Sequence, residues 1–82
     1  MISELNTSAK VVGAKQTRRA LADGRAEKLF LAADADPRVT GPLLRLAQEK
    51  GVRVEEIPAM KELGAACGIA VGSAAAAVVR RP

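Results

Sequence analysis

The sequence of 82 residues contains no histidine, tryptophan or tyrosine, and it has one phenylalanine and one cysteine. The absence of histidine rules out a Ser-His-Asp triad and a histidine general base, and it argues against a zinc site. A single cysteine, Cys67, cannot form an internal disulfide. With Phe30 as the only aromatic residue, base stacking cannot be a main binding mode, which argues against a sheet-type single-strand RNA binder.

Long apolar segments and a targeting signal are also missing. The stretch from Ala65 to Val79 has 15 residues without a charge, but it is rich in alanine and a membrane span needs about 20 strongly apolar residues. The first five residues lack a basic region followed by an apolar one, so we expect no signal peptide. These absences predict a cytoplasmic protein without a membrane partner.

The residues that are present predict one small globular domain covering residues 1–82. Hydrophobic residues make up 49% of the chain, and the core must be built from alanine, valine, leucine and isoleucine. Lysine and arginine number 13 against 9 acidic residues, which gives a net charge of +4. A basic surplus of this size is a weak indication of a polyanionic partner.

Helical and strand patterns alternate along the chain, which predicts an α/β fold with helices on both faces of a small sheet. Thr40 is expected to cap the third helix, with Leu43 and Leu44 on its inner face. The tail from Ser73 stays open, because four consecutive alanines favour a helix whereas Val78 and Val79 favour a strand. The predicted strands span residues 10–13, 28–33 and 52–57, and the predicted helices span 3–9, 15–23, 40–50 and 60–67.

Three cations begin the second predicted helix, namely Lys15, Arg18 and Arg19. A helix N-terminus carries partial positive charge, so cations in the first turn are mildly unfavourable unless an anion occupies the site. At about 100° per residue these cations share one face, and Thr17, Ala20 and Leu21 lie on the opposite, inward face. The alternatives are an anion-binding surface and an ordinary solvated basic face.

The apolar loop from Gly68 to Gly72 also allows two interpretations. Its isoleucine and valine either pack into the core or form an exposed platform against which an unstacked base or a partner lies.

Asp34 and Asp36 are better explained by turn formation and helix capping than by a metal site or an acid–base pair. Cys67 is expected to be a small core residue rather than a nucleophile.

The segment starting at Gly13 is not a nucleotide-binding P-loop, because Lys15 is not followed directly by serine or threonine and the upstream glycine is absent. We therefore expect no nucleotide hydrolysis, no enzymatic activity and no cofactor or metal.

Four segments together resemble the kink-turn-binding ribosomal protein family of archaeal and eukaryal large subunits (the "seven-Ae" type) and its small bacterial homologues. The resemblance covers nearly the whole chain. It rests on Gly13-Ala-Lys-Gln-Thr-Arg-Arg-Ala-Leu21, Leu31-Ala-Ala-Asp-Ala-Asp-Pro37, Lys61-Glu-Leu-Gly-Ala-Ala-Cys-Gly-Ile69 and the alanine-valine tail. It implies a single-domain three-layer α/β/α sandwich with a four-stranded mixed sheet, whose last strand is the tail from about Ala75 to Arg80.

The resemblance also implies a function and a set of RNA-binding residues. Family members bind the kink-turn, an RNA helix bent at a short bulge followed by tandem sheared G·A pairs. By position, Gly13 would permit close approach, Lys15 and Gln16 would read the guanines, and Arg19 would contact a phosphate or base edge. Arg18 adds charge on the same face. Lys61 would add a phosphate contact, and Ile69, Ala70 and Val71 would cover the bulged nucleotide.

The chain departs from the family pattern at two places. Many archaeal members carry Asn-Glu where this chain has Lys15 and Gln16, and the loop often has glutamate where this chain has Ala70. Some relatives of the fold are protein-binding domains in translation termination factors. The sequence therefore predicts a monomeric binder of structured RNA that associates with ribosomes, and the alternative is a protein-interaction module of the translation machinery.

Overall fold

Helices and strands alternate in the computed structural model, which describes Leu5, Thr7 and residues 9–80. The helix predicted over residues 3–9 falls mainly outside the described residues, although Leu5 within it is fully buried. None of the described helices is long and apolar enough to cross a membrane. The elements are β1 (Lys10–Val12), α1 (Ala14–Ala22), β2 (Ala26–Ala32), α2 (Pro37–Lys50), β3 (Arg53–Ile57), α3 (Met60–Ala66) and β4 (Ala75–Val79).

The four strands form one mixed sheet in the order β1-β4-β2-β3. The C-terminal strand β4 lies in the middle and pairs antiparallel with both β1 and β2, whereas β2 and β3 are parallel. The alanine-valine tail is thus a strand, as the family resemblance implies. Its residues Ala75, Ala76 and Ala77 are completely buried. Alanine is a good helix former, so burial between two sheet neighbours, rather than intrinsic propensity, decides the conformation of this segment.

Helices cover both faces of the sheet, which gives the predicted three-layer sandwich. Side chains of β2 alternate between two cores. Leu29 and Leu31 face the core formed with α1 and α2. Phe30 and Ala32 face the core formed with α3 and Leu5. Because β2 is buried on both faces, its sequence is a nearly continuous apolar run rather than an alternating one.

One end of the sheet collects the starts of all three helices. Ala75, at the start of β4, lies opposite Leu31 near the end of β2, and the β3 residue Ile57 lies opposite Ala32. The Gly13 N–H donates to the Ala75 carbonyl oxygen over 2.9 Å, so the end of β1 is at the same place. We call this the connection end of the sheet, and it carries residues 13, 33–36, 58–59 and the segment 67–74.

The start of α2 differs from the prediction. The helix begins at Pro37, not after Thr40, and the Asp36 side chain caps it by accepting from the Arg38 N–H over 2.9 Å. Proline at the first helical position is favourable, because its missing N–H would have no intrahelical partner there. Leu44 was expected on the inner face but is 38% exposed.

Candidate nucleic-acid interface

Gly13 makes the turn from β1 into α1. Its φ of 97° and ψ of 153° lie in a region that is open only to glycine without strain. A Cβ atom there would have no other atom within 4 Å. The backbone conformation, rather than a lack of space, therefore requires glycine, and the surface above this turn is open.

The N-terminus of α1 is free of the groups that usually neutralise a helix end. Its N-cap residue, Gly13, has no side chain with which to cap it, and no acidic residue lies in its first turn. The first helical hydrogen bond runs from the Thr17 N–H to the Gly13 carbonyl over 2.9 Å, so the N–H groups of residues 14–16 precede it. This end of α1 can receive an anion.

The cations of α1 share one exposed face, as predicted. Lys15, Arg18 and Arg19 are exposed, and Thr17, Ala20 and Leu21 are buried. The three cations were expected in about the first turn of the helix. Because α1 begins at Ala14, Lys15 lies in the first turn and Arg18 and Arg19 lie in the second. Since α1 has only nine residues, Arg19 also belongs to its last turn. The helix dipole therefore opposes Lys15 but not Arg19.

The apolar loop presents its side chains to solvent. Val71 is 70% exposed and Ile69 is 37% exposed, and Ala70 between them is also exposed. Packing in the core is therefore excluded for Val71. Exposed branched apolar side chains next to one another typically mark a binding surface.

The backbone of this loop is held firmly against α3, although its side chains point outward. The Ile69 N–H donates to the Gly64 carbonyl over 3.0 Å, and the Ser73 N–H donates to the Met60 carbonyl over 3.0 Å. The Ser73 hydroxyl donates to the Ala75 carbonyl over 2.7 Å. Gly64 lets the Val71 backbone approach so closely that a Cβ atom at Gly64 would overlap the Val71 carbonyl oxygen. The loop is therefore a preorganised platform.

The connection end of the sheet brings most of the predicted binding residues to one side of the molecule. The Gly13–Ala75 hydrogen bond there joins the residue before α1 to the first residue of β4, which follows the segment 67–74. Arg18 and Arg19 lie one turn further along α1. Of the predicted residues, Gly13, Ile69, Ala70 and Val71 belong to the connection end. Lys15, Gln16 and Lys61 lie in the first turns of the helices that begin there, and all of these residues except the half-buried Gly13 are exposed.

The two aspartates of the β2–α2 connection cap helices, as predicted. The Asp34 carboxylate accepts from the Met60 N–H at the start of α3 over 2.7 Å, and Asp36 caps α2. Cys67 is buried, which raises the pKa of its thiol and disfavours the reactive thiolate.

A groove between α1 and α2 was not predicted from the sequence. It has a volume of about 970 Å³, and its walls include Lys15, Arg18 and Arg19 from α1 and Arg38 from α2. The Arg38 guanidinium pairs with Asp36 at 2.8 Å, which lowers the pKa of that carboxyl group. Recognition of Asp36-Pro37 as a cap followed by proline would have placed Arg38 in the first turn of α2.

Comparison with known proteins identifies the family to which this chain belongs. The profile of the ribosomal protein L7Ae/L30e/S12e/Gadd45 family matches residues 3–81, and the chain belongs to that family. The resemblance drawn from the sequence motifs is thereby confirmed.

Relatives span bacteria, archaea and eukaryotes. The chain is 46% identical over 69 residues to a protein of Bacillus pumilus named "RNA-binding protein", with 84% of each chain covered. It is 44% identical over 68 residues to the large ribosomal subunit protein eL8 of Halobacterium salinarum, covering 82% of this chain and 57% of that one. The structure of the Giardia lamblia 15.5kD RNA binding protein matches with a TM-score of 0.83 and 30% identity, covering 96% of this chain and 65% of that one. The similarity confirms the three-layer α/β fold.

Proposed function

We propose that this protein is a non-enzymatic, cytoplasmic RNA-binding protein that recognises kink-turn structured RNA and associates with ribosomes as a monomer. The observation that carries the proposal is the placement of two surfaces at the connection end of the sheet. One is the uncapped, acid-free N-terminus of α1, and the other is the preorganised apolar loop with Val71 70% exposed.

The start of α1 supplies the contacts that specify the RNA. Open space above Gly13 lets an RNA groove approach the backbone closely. Lys15 and Gln16 then face the base edges of the sheared G·A pairs, where lysine donates to guanine acceptors and glutamine can donate and accept. Arg19, one turn further along, contacts a phosphate and positions the helix.

The loop supplies the second half of recognition. A nucleotide bulged out of a helix has lost its stacking partner and exposes an apolar base face. Ile69, Ala70 and Val71 give that face a cover without any aromatic side chain, and Lys61 at the start of α3 adds a phosphate contact. Because the loop backbone is already fixed by hydrogen bonds to α3, little ordering entropy is lost on binding.

The family membership supports an RNA partner for this chain. Relatives from three domains of life are named as RNA-binding or large-subunit ribosomal proteins. At the positions that the resemblance assigned, the chain carries a basic helix start and an exposed apolar loop, which supports the proposal.

A comparison of two RNA duplexes tests the proposal. One contains a kink-turn, and the other is identical except that its tandem G·A pairs are replaced by Watson–Crick pairs. Binding should weaken by several kcal/mol on replacement, since each altered base pair typically costs about 1–3 kcal/mol. Equal titration curves for the two duplexes would refute kink-turn recognition and favour a protein-interaction module.

Single substitutions on α1 separate base reading from charge. Arg19→Ala should weaken binding to both duplexes and reduce the salt slope by about 1, as expected for one lost phosphate contact. Lys15→Ala should also reduce the difference in affinity between the kink-turn duplex and the Watson–Crick duplex. Arg53→Ala, which removes an exposed cation at the start of β3, at the opposite end of the sheet, is the matched control and should change neither the affinity nor the difference between the duplexes.

A further inference from the structure

We propose that the groove between α1 and α2 is a second RNA-binding surface, which holds the phosphate backbone of a helical arm that flanks the kink-turn. The inference rests on the proposed function and extends its footprint from α1 to Arg38 on α2. It is carried by the direction of the groove and by the distribution of charge along it.

The groove opens at the connection end of the sheet. Strands β1 and β2 both run antiparallel to β4 and are therefore parallel to each other. Helices α1 and α2 each follow one of these strands, so both begin at the connection end and run away from it. Lys15 and Arg38 are each the second residue of their helix, and both line the groove. They mark its mouth, directly beside the proposed kink-turn site.

The groove is positive at its mouth, whereas the charge at its far end is balanced, because Asp23 pairs with Arg25 at 3.5 Å. Cations occur at the mouth with Lys15 and Arg38, and one turn further with Arg18 and Arg19. The acidic residue among the lining residues, Asp23, follows the last turn of α1 and so lies at the far end. A polyanion that enters from the mouth meets the cations first, whereas an acidic peptide lying along the whole groove would meet Asp23. This distribution of charge favours an RNA backbone that continues from the kink-turn.

Arg38 is suited to bind a phosphate although it already has an acidic partner. Its Nε and one terminal nitrogen donate to Asp36 over 2.8–3.2 Å. The other terminal nitrogen is not used by Asp36, and the side chain is 90% exposed. Asp36 thus orients the planar guanidinium at the groove mouth and leaves donors for a second anion.

The test compares two kink-turn RNAs that differ only in one flanking arm. One RNA has a long arm, and the other has that arm cut back to the base pairs next to the kink. Affinity and its salt dependence are measured for the wild type, for the variant Arg38→Ala and for the control variant Arg53→Ala, which removes an exposed cation at the start of β3, at the opposite end of the sheet. A second groove variant, Arg38→Gln, retains more side-chain bulk, and melting curves verify that each variant is folded.

On the long-arm RNA, both groove variants should bind roughly fivefold more weakly and lose about 1 from the salt slope, as expected for one lost phosphate contact. On the short-arm RNA, they should bind like the wild type, and the control variant should bind both RNAs like the wild type. An equal loss of affinity for the two RNAs, or no loss for either, would overturn the proposal. No loss for either RNA would favour a protein as the partner that binds the groove. Failure of kink-turn recognition itself would be detected separately, because the wild-type protein would then have the same affinity for RNA with and without the G·A pairs.

Discussion

Replacement of Gly64 by alanine tests whether the close contact between α3 and the apolar loop fixes the proposed RNA platform. Gly64 is buried in the middle of α3, and the backbone of Val71 lies directly on it. An added Cβ atom would overlap the Val71 carbonyl oxygen and would lie 3.0 Å from the Val71 carbonyl carbon and 3.1 Å from the Gly72 Cα. These are backbone atoms, so the overlap cannot be relieved by a side-chain rotation and the loop must move.

Two effects of opposite sign set the change in stability. Alanine is about 1 kcal/mol better than glycine inside a helix. Overpacking of a tight site costs typically 1–3 kcal/mol, and displacement of the loop also breaks the hydrogen bonds from Ile69 to Gly64 and from Ser73 to Met60, each worth about 1 kcal/mol. We therefore expect Gly64→Ala to lower the free energy of unfolding by about 2–4 kcal/mol. For a domain of this size, each kcal/mol lowers Tm by about 4–8 °C.

RNA affinity should fall together with stability. The loop must move away from α3 to accommodate the methyl group, and this movement displaces Val71 from the bulged nucleotide. A loss of roughly tenfold or more in affinity for a kink-turn duplex is expected, since a displaced contact costs about 1–3 kcal/mol. Isothermal titration with the RNA and urea unfolding without it measure the two quantities separately.

Gly41→Ala is the matched control. Gly41 lies inside α2, and a Cβ atom there would have no neighbouring atom within 4 Å. That substitution should raise stability by about 0.5–1 kcal/mol and leave RNA binding unchanged. If Gly64→Ala also raises stability and binds RNA normally, the loop does not depend on this contact and the reasoning is wrong.

Three further predictions follow from side-chain exposure. Val71→Asp should change stability by less than about 0.5 kcal/mol in urea unfolding, because the side chain is 70% exposed, and should weaken kink-turn binding; a sharp drop in Tm would refute the platform. Thr17→Val should raise stability by about 1 kcal/mol, because the buried Thr17 hydroxyl has no hydrogen-bond partner among the residues that the structure describes; a loss of stability would reveal such a partner. Cys67, whose thiol pKa is raised by burial, should react with a thiol reagent at neutral pH far more slowly than a cysteine introduced at the exposed Ala65; equal rates would contradict its burial.

The sequence by itself predicted those features that depend on neighbours along the chain. The faces of α1 follow from helical periodicity, so the exposed cations and the buried Thr17 and Leu21 could be assigned before the fold was known. The turn at Gly13 is also local, because it depends on the backbone within a few residues. Asp36 was expected to serve in turn formation and helix capping, but the cap of α2 was assigned to Thr40 instead. Alternation of helix and strand was sufficient for the α/β class.

Tertiary structure decided the features that depend on distant residues. The alanine tail was open between helix and strand on the residues alone, since its conformation depends on β1 and β2, which flank it in the sheet. The loop at Val71 could be in the core or at the surface until the packing of its backbone against Gly64 was known. Arg38 joined the cations of α1 only because parallel strands bring the starts of two helices to one end of the sheet. Local periodicity specifies which face of an element is apolar, but only the packed sheet determines which faces and ends meet.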